Sequence, residues 1–481
     1  MKKAFYLTTT LPYVNAKPHV GHAVEFVRAD VLARFKKAEG YDVYFNTGTD
    51  EHGQKLYNAA LAEGTTPQKY VDENTKNFKL LLPALGISED IHFIRTTEQR
   101  HIVAAQELWK RVANNGYIYK KKYQLKYCVG CELEKTDSEL INGKCPDHSN
   151  EQIQFVCEEN YFFKFSAFQD RLLELFNDNK SFVVPDFRKN EIENFIKSGL
   201  KDFSVSRLKS KMPWGISVPD DPDHIMYVWF DALTSYISTL GWPNDIENFK
   251  KYWCEGTPTQ YCGQDNLRQQ SAMWQAMLMA ADLPNSYQII INGFVTGGGG
   301  VKMSKTIGNV IDPILLQEYY GTDALRYYLL RHIHPWDGSP ITYDSFHEAY
   351  NAHLVGGLGN LTARLLTLSE KYLDEITIND VQIPEDYIDM MSNFRFDLAC
   401  DYVWDQISEI DKEISKTEPF KMIKIDPEKA KQYLHDYINR LYFVGELLQT
   451  IMPETSSIIL SAIKKNKKPQ ILFERKTKPS F

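Results

Sequence analysis

The sequence predicts an α/β protein, with a parallel sheet, an insertion within it and a helical region after it. Residues 4–10 are rich in β-forming residues, residues 19–40 show helical periodicity, and a second strand-like run follows. Strand, helix and strand at this spacing are typical of a parallel α/β unit. Residues 118–212 break the alternation, and apolar residues recur at helical spacing from about 346 to 462.

The individual elements follow from composition and periodicity. A buried strand is predicted at residues 4–10, and a helix is predicted from about His19 to a stop at Gly40. The apolar residues of its expected buried face are Val24, Val27, Val31, Leu32 and Phe35. Further strands are predicted within DVYFNTGTDEHG and within YQIIINGFV, which precedes four consecutive glycines.

Length and segment character together predict four parts. A chain of 481 residues exceeds what one hydrophobic core usually supports. We expect the two halves of one α/β domain at residues 1–117 and 213–345, the insertion at 118–212, and a helical domain at 346–481.

Composition limits the class of protein. The net charge of −8 argues against indiscriminate nucleic-acid binding, because phosphate contacts need lysine and arginine. A basic tail from Lys464 to Lys478 is the exception, and a solvated terminus would explain it. No run of about 18 apolar residues predicts a transmembrane helix. The N-terminus is too short and polar for a signal peptide, so we expect a cytoplasmic protein.

The first candidate site is Pro18–His22, at the junction of the first strand and helix. Such a junction lies at the carboxyl edge of a parallel sheet, where these sheets bind ligands. Free N–H groups at the helix start would favour phosphate, and His19 and His22 would share one face. Gly21 would leave room for a nucleotide base. The motif alone is weak, because chance matches and helix-capping histidines are common alternatives.

The second candidate site is Lys302-Met303-Ser304-Lys305-Thr306, which follows the four glycines. The two lysines would stabilise negative charge that develops on a polyphosphate, and the glycines would provide hinge freedom. A solvated basic loop is the alternative if the motif is taken alone.

The two motifs occur in order and about 280 residues apart. Together they resemble the HIGH and KMSKS signatures of the class I aminoacyl-tRNA synthetases. This resemblance implies a Rossmann-like catalytic domain built on a parallel sheet. It also implies ATP-dependent activation of an amino acid and its transfer to tRNA.

Several further segments resemble the methionine branch of this family. They are TLPYVNAKPHVGHA, FNTGTDEHGQK, YVWFDAL, DFSVSR with WGISVP, and LFER near the end. The resemblance implies L-methionine and tRNA(Met) as partners, ATP and Mg²⁺ as cofactors, and a role in translation initiation and elongation. No further tRNA-binding or dimerisation domain follows the helical region, so we expect a monomer.

A metal centre is predicted in the insertion. Cys128-x2-Cys131 and Cys145-x2-His148 have the spacing of a zinc knuckle, and three thiolates with one imidazole suit tetrahedral zinc. Unligated thiols are the alternative, although the cysteines do not form a secreted disulfide framework. No nucleophilic pattern surrounds the cluster, so we expect one structural Zn²⁺, as in similar single-knuckle methionyl enzymes.

The resemblance also implies roles for the two motifs. His19 and His22 would contact ATP and act in catalysis. Lys302 and Lys305 would stabilise the pyrophosphate side of the transition state. The full implied ATP-binding set is His19, Gly21, His22, Lys302, Met303, Ser304 and Lys305.

A second implied set would bind methionine: Leu11, Tyr13, Asp50, Arg207, Trp229, Ala232, Tyr236, Asp265, Asn266 and Gln270. Asp50 would pair with the substrate ammonium, and Arg207 and Asp265 would organise the carboxylate. Aromatic rings suit a polarizable thioether. Without the family context, Trp229 and Tyr236 would serve equally well as core aromatics.

The segment Gly263–Gln270 departs from the family pattern. Gln264 replaces the usual lysine, Asn266 replaces an apolar wall residue, and Gln269 with Gln270 replace an aromatic–histidine pair. Gln270 keeps the hydrogen-bonding capacity of the histidine but not its shape. These changes concern the methionine pocket more than the reaction.

The helical region resembles an anticodon-binding bundle. Asn360 and Arg364 match the anticodon-reading pair of the family, and their i, i+4 spacing places them on one helix face. Both can hydrogen-bond splayed bases. Phe420 follows Pro419 where the family usually has tryptophan; it would stack on a base without an indole donor. Core packing is the alternative for Phe420.

Three other functions are open at the level of sequence. A class I synthetase for another amino acid, such as leucine or cysteine, is supported only by the change at Gln269-Gln270. A small-molecule nucleotidyltransferase with an HxGH site would need neither a zinc insertion nor a tRNA-reading domain. A non-catalytic paralogue that binds tRNA or a partner is disfavoured by the intact HVGH and KMSKT motifs and by Asp50.

Overall fold

The structure is a computed structural model that describes residues 2–131, 133–135, 139–301, 303 and 309–479. The chain divides into two compact units. The first comprises Met1–Lys17, Glu39–Leu80 and Glu89–Asn292, and the second comprises Pro18–Ala38, Leu81–Ser88 and Gly293–Phe481. The chain therefore passes several times from one unit to the other. The four-part division expected from the sequence stays a prediction.

The secondary structure alternates in the first unit and is mainly helical in the second. The strands are β1 (Ala4–Thr9), β2 (Asp42–Thr49), β3 (His92–Arg95), β4 (Ile118–Cys128), β5 (Leu133–Glu134), β6 (Gln154–Phe163), β7 (Val183–Val184), β8 (Phe203–Ser204), β9 (Ser206–Leu208), β10 (Ser217–Val218), β11 (Asp221–Met226), β12 (Thr257–Gly263), β13 (Gln288–Asn292), β14 (Val295–Thr296) and β15 (Ser339–Pro340). The α-helices are α1 (Val20–Ala38), α2 (Gln54–Ala62), α3 (Pro67–Ala84), α4 (Gln99–Asn114), α5 (Gln169–Asp178), α6 (Asp186–Lys197), α7 (Val228–Leu233), α8 (Ser235–Ser238), α9 (Ile246–Phe249), α10 (Trp274–Ala280), α11 (Pro313–Tyr320), α12 (Thr322–Arg331), α13 (Tyr343–Ala349), α14 (Asn360–Tyr372), α15 (Glu385–Ser392), α16 (Phe396–Thr417), α17 (Pro419–Met422), α18 (Pro427–Leu447) and α19 (Pro453–Lys464). Wider π-helical turns occur at Lys250–Cys254, Gln269–Met273 and Tyr350–Gly359.

A six-stranded parallel sheet organises the first unit, in the order β3-β2-β1-β12-β13-β7. β1 pairs directly with β12, although about 250 residues separate them in the chain. Carboxyl ends of parallel strands meet at one edge of a sheet. The segments that follow β1, β2 and β12 therefore lie at the same edge, and the predicted α/β fold class is confirmed.

The central strands are buried along most of their length. In β1 every residue from Phe5 to Thr9 is buried, and in β13 Ile289, Ile290 and Ile291 are inaccessible to solvent. Continuous apolar runs of this kind are typical of strands covered on both faces. The core of the unit extends from these strands to the aromatic residues around Trp253 and Trp274.

The insertion begins with a long antiparallel pair. β4 and β6 pair from Ile118 opposite Phe163 to Tyr127 opposite Gln154, and β5 and β8 flank them. A second small sheet has the order β10-β11-β9. This antiparallel arrangement accounts for the break in the α/β rhythm, because hairpins need no crossover helices.

Helix α1 belongs to the second unit and is anchored there by its buried charges. The five apolar residues predicted for its buried face are all buried, and the helix ends before Gly40, whose φ of 88° suits a glycine. Arg28 donates to the carbonyls of Ile333 at 2.5 Å and Pro335 at 3.4 Å. These bonds tie the helix to the chain that follows α12.

The remainder of the second unit is a set of packed amphipathic helices. α16 buries residues at helical spacing from Phe396 to Ile414, and α18 does so from Ala430 to Leu447. Proline occupies the first turn of α17, α18 and α19, where its missing N–H costs no helical hydrogen bond. Within the described residues, no helix is both long and apolar enough to cross a membrane.

Candidate active site and metal centre

The histidine motif forms a compact cap at the start of α1. The rings of His19 and His22 stack with their centroids 4.0 Å apart, which confirms that both lie on one face. The backbone N–H of His19 donates to Nδ1 of His22 at 3.1 Å, and the N–H of Gly21 donates to Nδ1 of His19 at 3.1 Å. A neutral ring that accepts at Nδ1 carries its proton on Nε2.

The expectation of free N–H groups at this helix start is wrong. The N–H groups of His19 and Gly21 bond to the two rings, the N–H of Val20 donates to the carbonyl of Ile311, and that of His22 donates to the carbonyl of His19. The first turn is therefore already satisfied within the protein. Any phosphate here would be bound by side chains instead.

Burial keeps both histidines neutral. It lowers the pKa of His19, and it lowers the pKa of His22 further, with a contribution from the neighbouring His19. Gly21 is needed beside these rings, because a Cβ there would lie 2.8 Å from Cε1 of His19. The motif thus presents two uncharged imidazoles, and the close approach of the His19 ring favours glycine at position 21.

The second motif lies mostly outside the described residues. Lys302, Ser304 and Lys305 are not described, whereas Met303 is half-buried. The ends of the segment meet, because a Cβ on Gly297 would lie 2.6 Å from Nδ2 of Asn309. Gly299 and Gly300 have φ values of 73° and 76°, which favour glycine.

In the first unit, Asp50 is held against the segment that follows β1. Its N–H donates to the carbonyl of Pro12 at 2.9 Å, and its carbonyl accepts from the N–H of Val14 at 3.3 Å. Tyr13 and Asp50 thereby form an isolated parallel bridge, and Asp50 is only 8% exposed. The structure thus brings together two residues implied for methionine binding.

An aromatic cluster adjoins Tyr13. Tyr13 and Trp229 pack on the buried residues Tyr127, Tyr227 and Val228. The indole N–H of Trp229 is buried and has no hydrogen-bond partner within the described part of the chain. A buried donor of this kind is rare unless a ligand or a water satisfies it.

Arg207 lies over the same cluster. Its guanidinium carbon is 4.3 Å from the ring centroid of Tyr227, and its Nη1 donates to Ser204 Oγ at 2.9 Å and to the Ser206 carbonyl at 2.8 Å. A cation fixed in this way is suited to an anionic substrate group. Its link to Tyr13 and Trp229 runs through Tyr227.

Gln270 is wholly buried and belongs to a chain of hydrogen bonds. Its side-chain amide donates to the hydroxyl of Tyr236 and accepts from the amide of Gln260, whose oxygen accepts from Ser286 Oγ. Gln275 holds the carbonyl of Gln270 at 2.9 Å. Gln270 and Tyr236, both implied for methionine binding, are therefore in direct contact, and the π-helical turn at Gln269–Met273 supports them.

The other implied pocket residues have more peripheral settings. Leu11 and Ala232 are buried, and Leu11 belongs to the same core as Tyr236. Asp265 is exposed, and its Oδ1 accepts from the side-chain amide of Asn266 at 3.5 Å. The departure at Gln264 has a partner as well, since its oxygen accepts from Arg188.

One buried cluster was missed at the sequence level. Asp231 bonds to Nδ1 of His52 at 2.6 Å and to Nε2 of His101 at 2.7 Å, and His101 Nδ1 lies 2.9 Å from Ser238 Oγ. All four side chains are buried. The signal was present in the DEHG and WFDAL segments, which contain a histidine and an aspartate without an assigned role.

Four side chains of the insertion converge on one point. The ligand atoms of Cys128, Cys131, Cys145 and His148 all lie within 4.8 Å of one another. The Sγ atoms of Cys131 and Cys145 are 3.3 Å apart, and His148 Nδ1 lies 3.2 Å from Cys131 Sγ and 4.0 Å from Cys145 Sγ. Tetrahedral zinc with Zn–S bonds near 2.3 Å separates its ligands by about 3.8 Å. The donor set therefore fits a zinc ion.

The residues predicted to read the anticodon are all accessible to solvent at least in part. Asn360 is exposed, and Arg364 forms an ion pair with Asp411 at 3.2 Å. Arg364 and Phe420 line one cavity of about 540 Å³, and Phe420 is 41% exposed. Phe420 is thus not a core residue, and two of the three side chains predicted to contact bases, Arg364 and Phe420, line the same cavity.

Comparison with known proteins identifies the family. The family model described as "tRNA synthetases class I (M)" matches residues 5–159 and 149–366. The chain belongs to the class I methionyl-tRNA synthetase family.

Methionyl-tRNA synthetases resemble the chain over nearly its whole length. The methionine–tRNA ligase of Caldanaerobacter subterraneus subsp. tengcongensis is 40% identical over 473 residues, which cover 95% of this chain and 73% of the relative. That of Brucella suis is 36% identical over 479 residues, which cover 96% and 92%. The protein is accordingly an enzyme of the ligase class.

Solved structures of the family confirm the architecture. The Mycobacterium tuberculosis methionyl-tRNA synthetase in complex with methionyl-adenylate superposes with a TM-score of 0.88 and 33% identity. The superposition covers 99% of each chain. The chain therefore has the fold of a methionyl-tRNA synthetase of known structure.

Proposed function

We propose that this enzyme activates L-methionine with ATP and transfers it to the 3′ end of tRNA(Met), for initiation and elongation. A carboxylate oxygen of methionine attacks the α-phosphorus of ATP, and pyrophosphate leaves to give methionyl-adenylate. A hydroxyl of the terminal adenosine of the tRNA then attacks the adenylate carbonyl, and AMP leaves. No side-chain nucleophile is needed, so catalysis rests on positioning and charge stabilisation.

The observation that supports the proposal most directly is the burial of Asp50 and its link to Trp229 through Tyr13. The buried Asp50 is bridged to Tyr13, and Tyr13 packs with Trp229 on one aromatic cluster. A carboxylate beside aromatic rings suits a substrate with an ammonium group and a polarizable thioether. The unsatisfied indole N–H of Trp229 supports a ligand at this position. Tyr236 and Gln270 would form a further wall, and Arg207 would face the carboxylate.

The ATP subsite is assigned to the two sequence motifs. His19 and His22, neutral and protonated at Nε2, would donate hydrogen bonds to ATP without adding positive charge. Lys302 and Lys305 would supply that charge to the departing pyrophosphate, with Met303 and Ser304 completing the loop. ATP would enter as its Mg²⁺ complex.

The insertion would hold one structural Zn²⁺ through Cys128, Cys131, Cys145 and His148. Burial, followed by the neighbouring Cys145, raises the pKa of the Cys131 thiol to about 12, so a bound cation would have to displace the proton of this thiol. The ion would join the C-x2-C and C-x2-H halves of the knuckle and take no part in the reaction.

The remaining parts of the proposal concern domain organisation, cellular compartment and oligomeric state. Residues 1–117 and 213–345 would form the catalytic domain around the insertion at 118–212, and residues 346–481 would bind the anticodon. The six cysteines whose side chains the structure describes form no disulfide, and such chemistry suits the reducing cytoplasm. We expect the enzyme to act as a monomer.

Exchange between ATP and labelled pyrophosphate tests the first step. Exchange should depend on methionine and not on leucine or cysteine, and Asp50→Asn should raise the KM for methionine more than the KM for ATP. Exchange with another amino acid and none with methionine would overturn the proposed specificity.

Charging of tRNA tests the helical subsite separately. Phe420→Ala should raise the KM for tRNA about ten-fold, because loss of stacking on a base costs roughly 1–3 kcal/mol, while pyrophosphate exchange stays unchanged. Ile425→Ala removes another exposed apolar side chain in the same region and serves as the control. An equal effect of both variants would contradict base recognition by Phe420.

A further inference from the structure

The cluster of Asp231, His52, His101 and Ser238 is a deeply buried polar group whose role the reaction does not explain. Asp231, His101 and Ser238 are inaccessible to solvent, and His52 is 5% exposed. Removing a carboxylate from water is costly unless it is paired and hydrogen-bonded. The two imidazoles satisfy both of its oxygens, at 2.6 and 2.7 Å.

The cluster joins two segments that carry pocket residues. His52 lies two residues after Asp50, in the turn between β2 and α2. Asp231 lies in α7, two residues after Trp229 and next to Ala232. The bond between His52 and Asp231 therefore connects the ammonium-binding turn directly to the helix that carries the aromatic wall.

The turn that carries Asp50 is fixed on its other sides as well. Glu51 is fully buried and accepts from Arg95 Nε at 2.7 Å, and its carbonyl accepts from the indole of Trp214 at 2.7 Å. The ring of His52 packs against Trp214 with centroids 5.3 Å apart. Of these contacts, only the bond from His52 reaches α7.

We propose that His52 and Asp231 are positioning residues, which set the distance between Asp50 and the Trp229 wall and so shape the methionine subsite. The inference rests on the proposed function and deepens it. Two rigid groups joined by a charge-assisted hydrogen bond hold their spacing more closely than loop and helix would alone. His101 and Ser238 act one step further out, by orienting Asp231.

The low pKa of Asp231 agrees with this role. Burial alone would raise it, but His52 and His101 hold it below the ordinary value of an aspartate, so the carboxylate stays charged. A charged acceptor forms the stronger hydrogen bond to an imidazole N–H. The spacing is thus fixed by an interaction that a neutral residue at position 231 would weaken.

The test measures pyrophosphate exchange by the full-length enzyme, with KM determined separately for methionine and for ATP. His52→Leu and Asp231→Asn should each raise the KM for methionine about ten-fold or more and change the KM for ATP less than about two-fold. His52→Asn should restore much of the methionine KM, because its side-chain N–H occupies the place of ring Nδ1. Circular dichroism and melting temperature check that each variant folds; if His52→Leu does not, Asp231→Asn carries the test.

Asp323→Asn is the matched control. Asp323 is also a buried carboxylate, but it lies in the second unit, where it accepts from the N–H of Thr455 at 2.6 Å. The control should lower the melting temperature without changing the KM for methionine.

Two failures are distinguishable. If the wild type exchanges pyrophosphate with methionine but the cluster variants lose only melting temperature, the positioning role is overturned and the proposed function stands. If the wild type shows no methionine-dependent exchange, the proposed function itself fails.

Discussion

At the scale of residues, the proposed methionine subsite contains buried polar side chains that are hydrogen-bonded to one another. Gln270 stands where the family usually has histidine, and in this chain its amide connects Tyr236 to Gln260. An amide can donate and accept at once, so a chain of such groups stays satisfied without a charge. Gln270 therefore departs from the family pattern but is hydrogen-bonded at both ends of its side-chain amide.

Replacing Gln270 by leucine should impair the subsite. Leucine has a similar volume but removes the buried hydrogen bonds that Gln270 makes with Gln260 and Tyr236, which costs about 1–3 kcal/mol for each bond. We expect a lower melting temperature and a several-fold higher KM for methionine. Ser271→Ala changes a buried residue of the same turn outside the amide chain and should leave KM unchanged. A normal KM in the leucine variant would exclude Gln270 from the subsite.

The histidine motif predicts how activation depends on pH. Because burial lowers the pKa of His19 and of His22, both rings stay neutral as the pH falls through 6.5, the ordinary value for histidine. Single-turnover adenylate formation should therefore show no loss between pH 8 and about 6 that belongs to these rings. A decline centred near pH 6.5 that His22→Gln abolishes would show that the rings are charged.

At the scale of elements, the proposed zinc knuckle depends on its backbone as well as on its four candidate ligands. A Cβ added at Gly130 would lie 2.3 Å from Cδ2 of His148, closer than any normal contact. The glycine inside C-x2-C therefore makes space for the fourth ligand. The spacing in the sequence predicted the four candidate ligands. The need for glycine at position 130 follows only from the structure, because the ring of His148 comes from the other half of the knuckle.

Gly130→Ala should weaken zinc binding although every ligand is retained. The added methyl displaces the imidazole of His148, so the zinc content of purified protein, measured by mass spectrometry, should fall well below one ion per chain. Gly143→Ala is the control: it meets backbone strain at a φ of 74°, but its Cβ has no atom within 4 Å. Full zinc content in both variants would contradict this account of Gly130.

Sequence patterns predicted helices and strands more reliably than the hydrogen bonds at a helix start or the contacts between distant residues. The strand at β1, the helix at α1 and the strands at β2 and β13 are confirmed, because apolar periodicity reports burial directly. The N–H groups at the start of α1 were mispredicted, because they bond to imidazoles and to a carbonyl at Ile311, far away in the chain. The partnership of His52 with Asp231 spans 179 residues, and no local pattern encodes it.

At the scale of the whole molecule, a buried ion pair connects distant segments of the second unit. Asp30 of α1 pairs with Arg326 of α12 at 2.8 Å, and both side chains are inaccessible to solvent. Arg326 also donates to the carbonyls of Leu85 at 3.1 Å, Thr450 at 2.9 Å and Ile451 at 2.9 Å. A single guanidinium thus joins segments that are separated by several hundred residues in the chain.

The stability of this unit should depend on pH through Asp30. Burial would raise the pKa of Asp30, but Arg326, Arg34 and Ser88 hold it below the ordinary value. The stabilising contribution is therefore complete above the unfolded pKa of about 3.9 and is lost as the pH falls through the folded pKa. Asp30→Asn should lower stability at pH 7 by about 3–5 kcal/mol, as expected when a buried pair is broken.

Thermal melting at a series of pH values measures the contribution of Asp30. The gap between the melting temperatures of the wild type and Asp30→Asn should be widest near neutral pH and should narrow in acid. A gap that is unchanged down to pH 3 would show that Asp30 keeps its proton or lacks its partner in solution.

Because α1 belongs to the second unit, it cannot complete its packing early during synthesis on the ribosome. Residues 18–38 emerge long before most of their unit, which extends from residue 293 onward. At 5–20 residues per second, the wait lasts roughly 13–50 s. During this interval the apolar face of α1 and the charges of Arg28 and Asp30 lack their final partners, so we expect the nascent chain to bind a chaperone that covers this segment until the residues after 293 have been synthesised.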